Sequence, residues 1–164
     1  VVTGVQTCAL PISCAPVAAI DETVRAIWDD MIDTMEAMPG VGLAACQIGV
    51  MQRLAVVDAS DARGRAVRMA NPVILWADTR LRAHDEASPN LPGISARLER
   101  PAKVTVRFLD ARGVTVTQDF EGLWATSVQH QIDHLDGRTY LDRLSRTRRS
   151  MLLARVAKRA RRAG

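Results

Sequence analysis

Between residues 24 and 35, apolar side chains recur every three or four positions: Val24, Ile27, Trp28, Met31, Ile32 and Met35. That spacing lines one face of a helix and predicts a core-facing stripe. Asp21 stands where an N-cap belongs, and Met38-Pro39-Gly40 ends the pattern. The period then shortens. Residues 54–58 and 104–108 alternate and are rich in β-branched side chains, which predicts strands. Residues 114–120 form a further run, joined to the preceding one by Asp110-Ala111-Arg112-Gly113, so a hairpin is expected. Asn71-Pro72 and the stretch from Pro89 to Pro92-Gly93 predict irregular backbone. A last helical pattern occupies residues 123–135. Helix, several short strands, then helix is the signature of an α+β fold with antiparallel sheet.

The two ends of the chain depart from this pattern. Residues 1–12 show neither a signal-peptide pattern nor a clear period, and resemble translated adapter sequence fused to a gene fragment. Residues 1–13 are therefore expected to be a non-native extension, with the native N-terminus missing. The domain is expected at residues 14–142. Residues 143–164 hold nine Lys or Arg and no acid, so a chain of net charge +4 leaves −5 on residues 1–142. Within that tail Leu152, Leu153, Val156, Ala157 and Ala160 recur at helical spacing. A basic amphipathic helix is expected, either a solvated terminal helix packed by one stripe or a contact for RNA, the ribosome or another acidic surface.

Composition narrows the class. A chain of 164 residues suits one domain with one sizeable core. No apolar run approaches the roughly 18 residues of a membrane span. Three cysteines (Cys8, Cys14 and Cys46) without paired spacing argue against a disulfide scaffold and fit a reducing cytoplasm.

The chemistry concentrates in His130-Gln131-Ile132-Asp133-His134. Histidines four apart share a helix face and can reach one metal ion. In the metallohydrolase motif H-E-x-x-H, the residue after the first His is a Glu that takes a proton from metal-bound water. Here it is Gln131, an amide that accepts no proton at neutral pH. Two further segments are weak signals alone. Gly40-Val41-Gly42-Leu43-Ala44-Ala45-Cys46-Gln47 permits close backbone approach and ends in an amide donor. Glu86-Ala87-Ser88-Pro89-Asn90-Leu91-Pro92-Gly93 reads as a loop.

In this order and spacing the three segments resemble the peptide deformylases, which carry G-x-G-x-A-A-x-Q, then E-G-C-L-S followed by P-G, then Q-H-E-x-D-H. The resemblance runs from about Ala15 to Met151, through Arg100-Pro101, Leu109-Asp110, Phe120-Glu121-Gly122-Leu123 and Asp136-Gly137. It implies an α+β fold with antiparallel strands around the histidine helix. It implies removal of formyl from the N-terminal Met of nascent chains, with a divalent metal, iron(II), zinc or similar, held by two His and one Cys. On this pattern His130 and His134 stand at the histidine ligands, and Gln47 at the amide facing the oxyanion. Asp133 stands where it would orient a neighbouring group, and Val41, Gly42, Pro89 and Leu91 along the substrate groove.

Three positions depart from the family. Ser88 falls at the cysteine ligand, and a protonated hydroxyl binds metal far more weakly than a thiolate. Gln131 falls at the general acid/base, a loss worth about 10²–10⁴ in rate. Pro89 falls where a backbone N–H faces the oxyanion, and proline has none; such a donor is worth roughly 10²–10³. The resulting expectation is a deformylase-like protein with little or no deformylase activity and a metal weakly held or absent. One alternative is an active metallohydrolase with a replacement ligand from Cys46, His84, Asp85 or Glu86. The other is a metal-free peptide- or ribosome-binding module. His84-Asp85-Glu86 by itself reads as a solvated polar loop.

Overall fold

The computed structural model describes residues 12–163 and, among these, all side chains but those of 160, 162 and 163. The expectation for the N-terminal extension falls almost wholly on residues 1–11, outside the described residues, as does Cys8.

Helix α1 (Glu22–Ala37) starts where its cap predicts: the Asp21 carboxylate accepts the Val24 N–H at 2.8 Å. It buries Val24, Trp28, Met31 and Met35, with Ile27 and Ile32 at the margin. Strand β1 (Gly42–Ala44) follows, then a 3₁₀ turn (Ala45–Ile48), β2 (Leu54–Val57), β3 (Val67–Ala77), β4 (Leu81–Ala87), β5 (Ser95–Pro101), β6 (Lys103–Leu109) and β7 (Thr115–Glu121). Helix α2 (Gly122–Leu135), a second 3₁₀ turn (Tyr140–Arg143) and α3 (Arg146–Ala163) complete the chain. Five strands form an antiparallel sheet in the order β1-β2-β3-β6-β7, and β4 and β5 pair separately. The fold is α+β, as the pattern predicts.

Strand β2 explains why both helices stay close to one sheet. All four of its residues are buried. Leu54 and Val56 pack with α1, while Ala55 and Val57 pack with α2 beside Ala125, Val128, Ile132 and Leu135. Ala44 pairs with Ala55 across β1 and β2, and both belong to the α2 side.

The irregular backbone expected at Asn71-Pro72 lies inside β3, where the register with β6 shifts between Ala70 and Val73. A bulge is one of the few places a strand tolerates proline. Asn71 takes a left-handed φ of 51°, and its side-chain amide bonds both the N–H and the C=O of Val17 at 2.8 Å. One expectation needs correction: His84-Asp85-Glu86 is not a solvated loop, for it lies in β4, paired residue for residue with β5.

Among the described side chains of α3 only Leu152 and Val156, one turn apart, are half-buried; Leu153 and Ala157 face solvent. Leu152 packs on a small cluster of Ala96, Leu98, Tyr140 and Leu141. Among the described residues no helix is long and apolar enough to cross a membrane.

Candidate active site

Helix α2 is buried without interruption from Ala125 to Leu135, although seven of those residues are polar or charged. Buried polar groups require partners, and the strands around α2 supply them. His130 Nδ1 meets Glu86 Oε2 at 2.8 Å, and His130 Nε2 meets His134 Nε2 at 3.1 Å. Arg100 grips Glu86 through Nε and through Nη2 at 2.7 Å, and its Nη1 donates to Asp133 at 2.8 Å. Arg143 closes the chain with two 2.6 Å hydrogen bonds to the same Asp133 carboxylate. Two cations and two anions thus alternate from the second 3₁₀ turn to the first histidine.

This arrangement fixes the charges. Burial alone would raise the Glu86 carboxyl, but hydrogen bonds from Arg100 and His130 outweigh it and hold it at about 2. Burial would likewise raise Asp133, and Arg143 and Arg100 hold it below the usual carboxylate range. Burial, with His130 beside it, pushes His134 down to about 3, so its ring is neutral at pH 7. Tyr140 stacks on His130 with ring centres 6.2 Å apart, and burial raises its hydroxyl to about 12. Since ionised Glu86 can only accept, His130 carries a proton on Nδ1 and turns Nε2 towards His134.

The metal that the sequence pattern implies can be tested against these donors. Two nitrogens that each ligate one ion at about 2.0–2.1 Å stand roughly 3.0–3.4 Å apart, so the histidine pair fits. The third position does not. Ser88 donates its hydroxyl proton to Asn90 Oδ1 at 3.0 Å. Among the described residues no group of three His, Cys, Asp or Glu could hold a metal. Of the candidate replacement ligands, Glu86 is committed to Arg100 and His130 Nδ1, and the Cys46 thiol points to the His134 carbonyl at 3.6 Å. The donor set does not fit a tightly held metal of the two-His, one-Cys kind.

Beside His130 lies a cavity of about 230 Å³. Val41, Gly42 and Pro89, three of the four residues expected along a groove, line it together with Gln131, His84 and Glu86. Gln131 is buried, and its Oε1 has no hydrogen-bond partner among the described residues. Gly42 makes room for it: a Cβ there would lie 2.7 Å from Gln131 Nε2 and 2.5 Å from Ser127 Oγ. Leu91 is a correction. Rather than lining the cavity, it packs on the Ala96–Leu98–Tyr140–Leu141 cluster, because the chain turns away directly after Ser88. That turn is closed by the Leu91 N–H on the Ser88 carbonyl at 2.9 Å, with Pro89 in the position that favours proline. Gln47 sits behind the cavity, not in its lining. Its Oε1 accepts the Ala44 N–H at 2.9 Å, and its Nε2 donates to Asn90 Oδ1 at 2.7 Å.

The same scaffold recurs in known proteins. The sequence model of the polypeptide deformylase family matches residues 2–150. The chain belongs to the polypeptide deformylase family. It is 42% identical over 147 residues to a peptide deformylase of Phenylobacterium zucineum, covering 88% of this chain and 87% of that protein. It is 41% identical over 145 residues to a peptide deformylase-like protein of Agrobacterium fabrum, with 88% and 87% covered. Among solved structures, the peptide deformylase of Ehrlichia chaffeensis superposes with a TM-score of 0.88 at 29% identity, covering 98% of this chain and 97% of that one. That of Legionella pneumophila gives 0.87 at 34% identity, with 96% and 94% covered.

Within this deformylase scaffold, sequence reasoning located the histidines, Gln131 and the glycine-rich wall. It missed the working partners of His130. Glu86 and Arg100 lie on buried positions of β4 and β5, and in β5 the period Ala96, Leu98, Arg100 puts a cation on the inward face. That inward charge was the available signal. Asn90 carried none beyond its place in a turn.

Proposed function

We propose that this deformylase-family chain receives the formylated N-terminus of a nascent polypeptide in the cavity beside His130 but removes the formyl group with little or no turnover. The observation that carries the reading is Gln131. It occupies the cavity wall next to His130 as a neutral amide, and an amide moves no proton at neutral pH. Ser88 and Pro89 support it, one as a hydroxyl bonded elsewhere, the other as a residue without an N–H. Some relatives at about 40% identity carry the name peptide deformylase-like.

What the remaining residues do is positional. Glu86 and Arg100 hold His130 in one tautomer, and the cavity admits the chain end. A divalent metal, were one held despite the missing third ligand, would supply Lewis acidity. His130 and His134 are the residues that would touch it.

The test pairs metal analysis with turnover of a formyl-methionyl peptide. The wild-type chain is expected to be slower by about 10²-fold or more than the triple variant Gln131→Glu, Ser88→Cys, Pro89→Leu. Stoichiometric metal together with turnover in the wild type would sink the reading and favour ordinary deformylation, which the names of relatives at 42–43% identity support. A triple variant that regains metal but no turnover would locate the loss in the groove instead.

The same reading extends to α3. Its cations suit the phosphate backbone of RNA, at the ribosome where nascent chains emerge, and a cytoplasmic setting suits the buried thiols Cys14 and Cys46. Ribosome pelleting that weakens with added salt is the expected result; no association at low salt would remove the contact.

A further inference from the structure

Three polar residues near the cavity bond to one another. Asn90 Oδ1 accepts two hydrogen bonds, from Gln47 Nε2 at 2.7 Å and from the Ser88 hydroxyl at 3.0 Å. The Ser88 oxygen in turn lies 3.4 Å from the Asn90 N–H and 3.5 Å from Gln47 Nε2. All three side chains are at least nine-tenths buried. The turn that carries Ser88 and Asn90 is stiffened by Pro89 between them and closed by the Leu91 N–H.

The inventory for Gln47 is then full. Its carbonyl oxygen is used by the Ala44 N–H. One of its two amide protons is taken by Asn90 at 2.7 Å, and the other is directed towards Ser88. Neither reaches the cavity, whose lining excludes Gln47, Ser88 and Asn90 alike.

We propose that Asn90 is a positioning residue of negative effect: it locks the Gln47 amide onto the Ser88 turn and withholds it from a peptide carbonyl in the cavity. The proposal rests on the reading of Gln47 as the amide that would face the formyl oxygen. It adds a cause of low activity that reverting Gln131, Ser88 and Pro89 leaves partly in place. The lock consists of hydrogen bonds alone, so no covalent step is involved.

The test follows the Gln47 side-chain amide by nitrogen-15 NMR in the full chain, with a formyl-methionyl tripeptide as the probe. In the wild type, at least one Gln47 amide proton should exchange slowly, and saturating peptide should leave its shift unchanged. In Asn90→Ala, exchange should quicken at least tenfold, the peptide should now shift the signal, and peptide affinity should rise up to about tenfold, the scale of one hydrogen bond. Asn90→Asp keeps the acceptor oxygen and should behave as wild type. A fast-exchanging wild-type amide, or one that moves with peptide, overturns the lock. So does an Asn90→Ala variant whose amide is released without any gain in affinity for peptide that it binds. Should Asn90→Ala fail to fold, the two wild-type measurements decide alone. If no form binds peptide at all, the reading of the cavity falls, while slow exchange in the wild type and release in Asn90→Ala still uphold the lock.

Discussion

Glu86 determines which nitrogen of His130 faces His134: its carboxylate accepts from Nδ1 at 2.8 Å and leaves Nε2 directed at the second ring, 3.1 Å away. The carboxylate is itself held by Arg100, whose side chain is fully buried. Glu86→Gln should therefore have two effects. Removing one member of a buried charge network costs about 3–5 kcal/mol, readable as a lower urea midpoint with an unchanged slope. The His130 ring should also lose its single tautomer, seen in its imidazole nitrogen shifts. A stable variant with unchanged shifts would show that Glu86 does not orient the ring.

Asp133 is shared by two arginines, one interior and one at the rim. Arg143 is 39% exposed along its side chain, so solvent screens its part of the pair. A double-mutant cycle with Arg143→Ala and Asp133→Asn should give a coupling near the low end of the usual range, about 0.5–1 kcal/mol. Zero coupling would mean that the bidentate contact adds nothing to stability.

Gly42 is required by space, not by backbone angle. A methyl group there meets Gln131 Nε2 and Ser127 Oγ below contact distance, although Ser127 is itself fixed to the Val41 carbonyl at 3.1 Å. Gly42→Ala should cost about 1–3 kcal/mol by overpacking and weaken binding of a formyl-methionyl peptide. Full stability and unchanged affinity would show that the wall yields freely.

Asp58 supplies a pH dependence away from the site. It is fully buried, which alone would raise its carboxyl, yet Ser60 and the Arg65 N–H hydrogen-bond it and lower it below its ordinary value of 3.8. A depressed carboxyl stabilises the fold fully above its unfolded value, and that contribution is lost as the pH falls through the folded one. Wild type should therefore exceed Asp58→Asn in unfolding free energy at pH 7, with the gap closing below about pH 3.8. A gap that is constant with pH would exclude the ionised carboxylate as its source.

Where the sequence was legible, one physical rule governed the segment. α1, β2, β6, β7 and α2 follow the burial of apolar faces, and their periods predict them closely. β4 and β5 escape that rule because their inward face carries Glu86 and, through Arg100, its counter-charge. Opposite charges that neutralise each other inside the fold look, one at a time, like solvent positions. β3 escapes it because Asn71 finds its hydrogen bonds on Val17, 54 residues away. In the site, the histidine spacing was visible because a helix fixes it locally. The bond between Gln47 and Asn90 spans 43 positions, and only the folded chain brings them together.

The sheet residues that share a core with α2 include two alanines. Ala44 and Ala55 stand opposite each other on the helix side of β1 and β2, both with no exposed surface. At β1 and β2 the sheet thus meets the helix partly through side chains that stop at one carbon. Lengthening either, as in Ala55→Val, would lift the helix and carry both imidazoles outward together, changing their distance to the Ser88 turn while leaving their mutual spacing intact. Evolution or design can retune this site's depth from positions that bear no functional group at all.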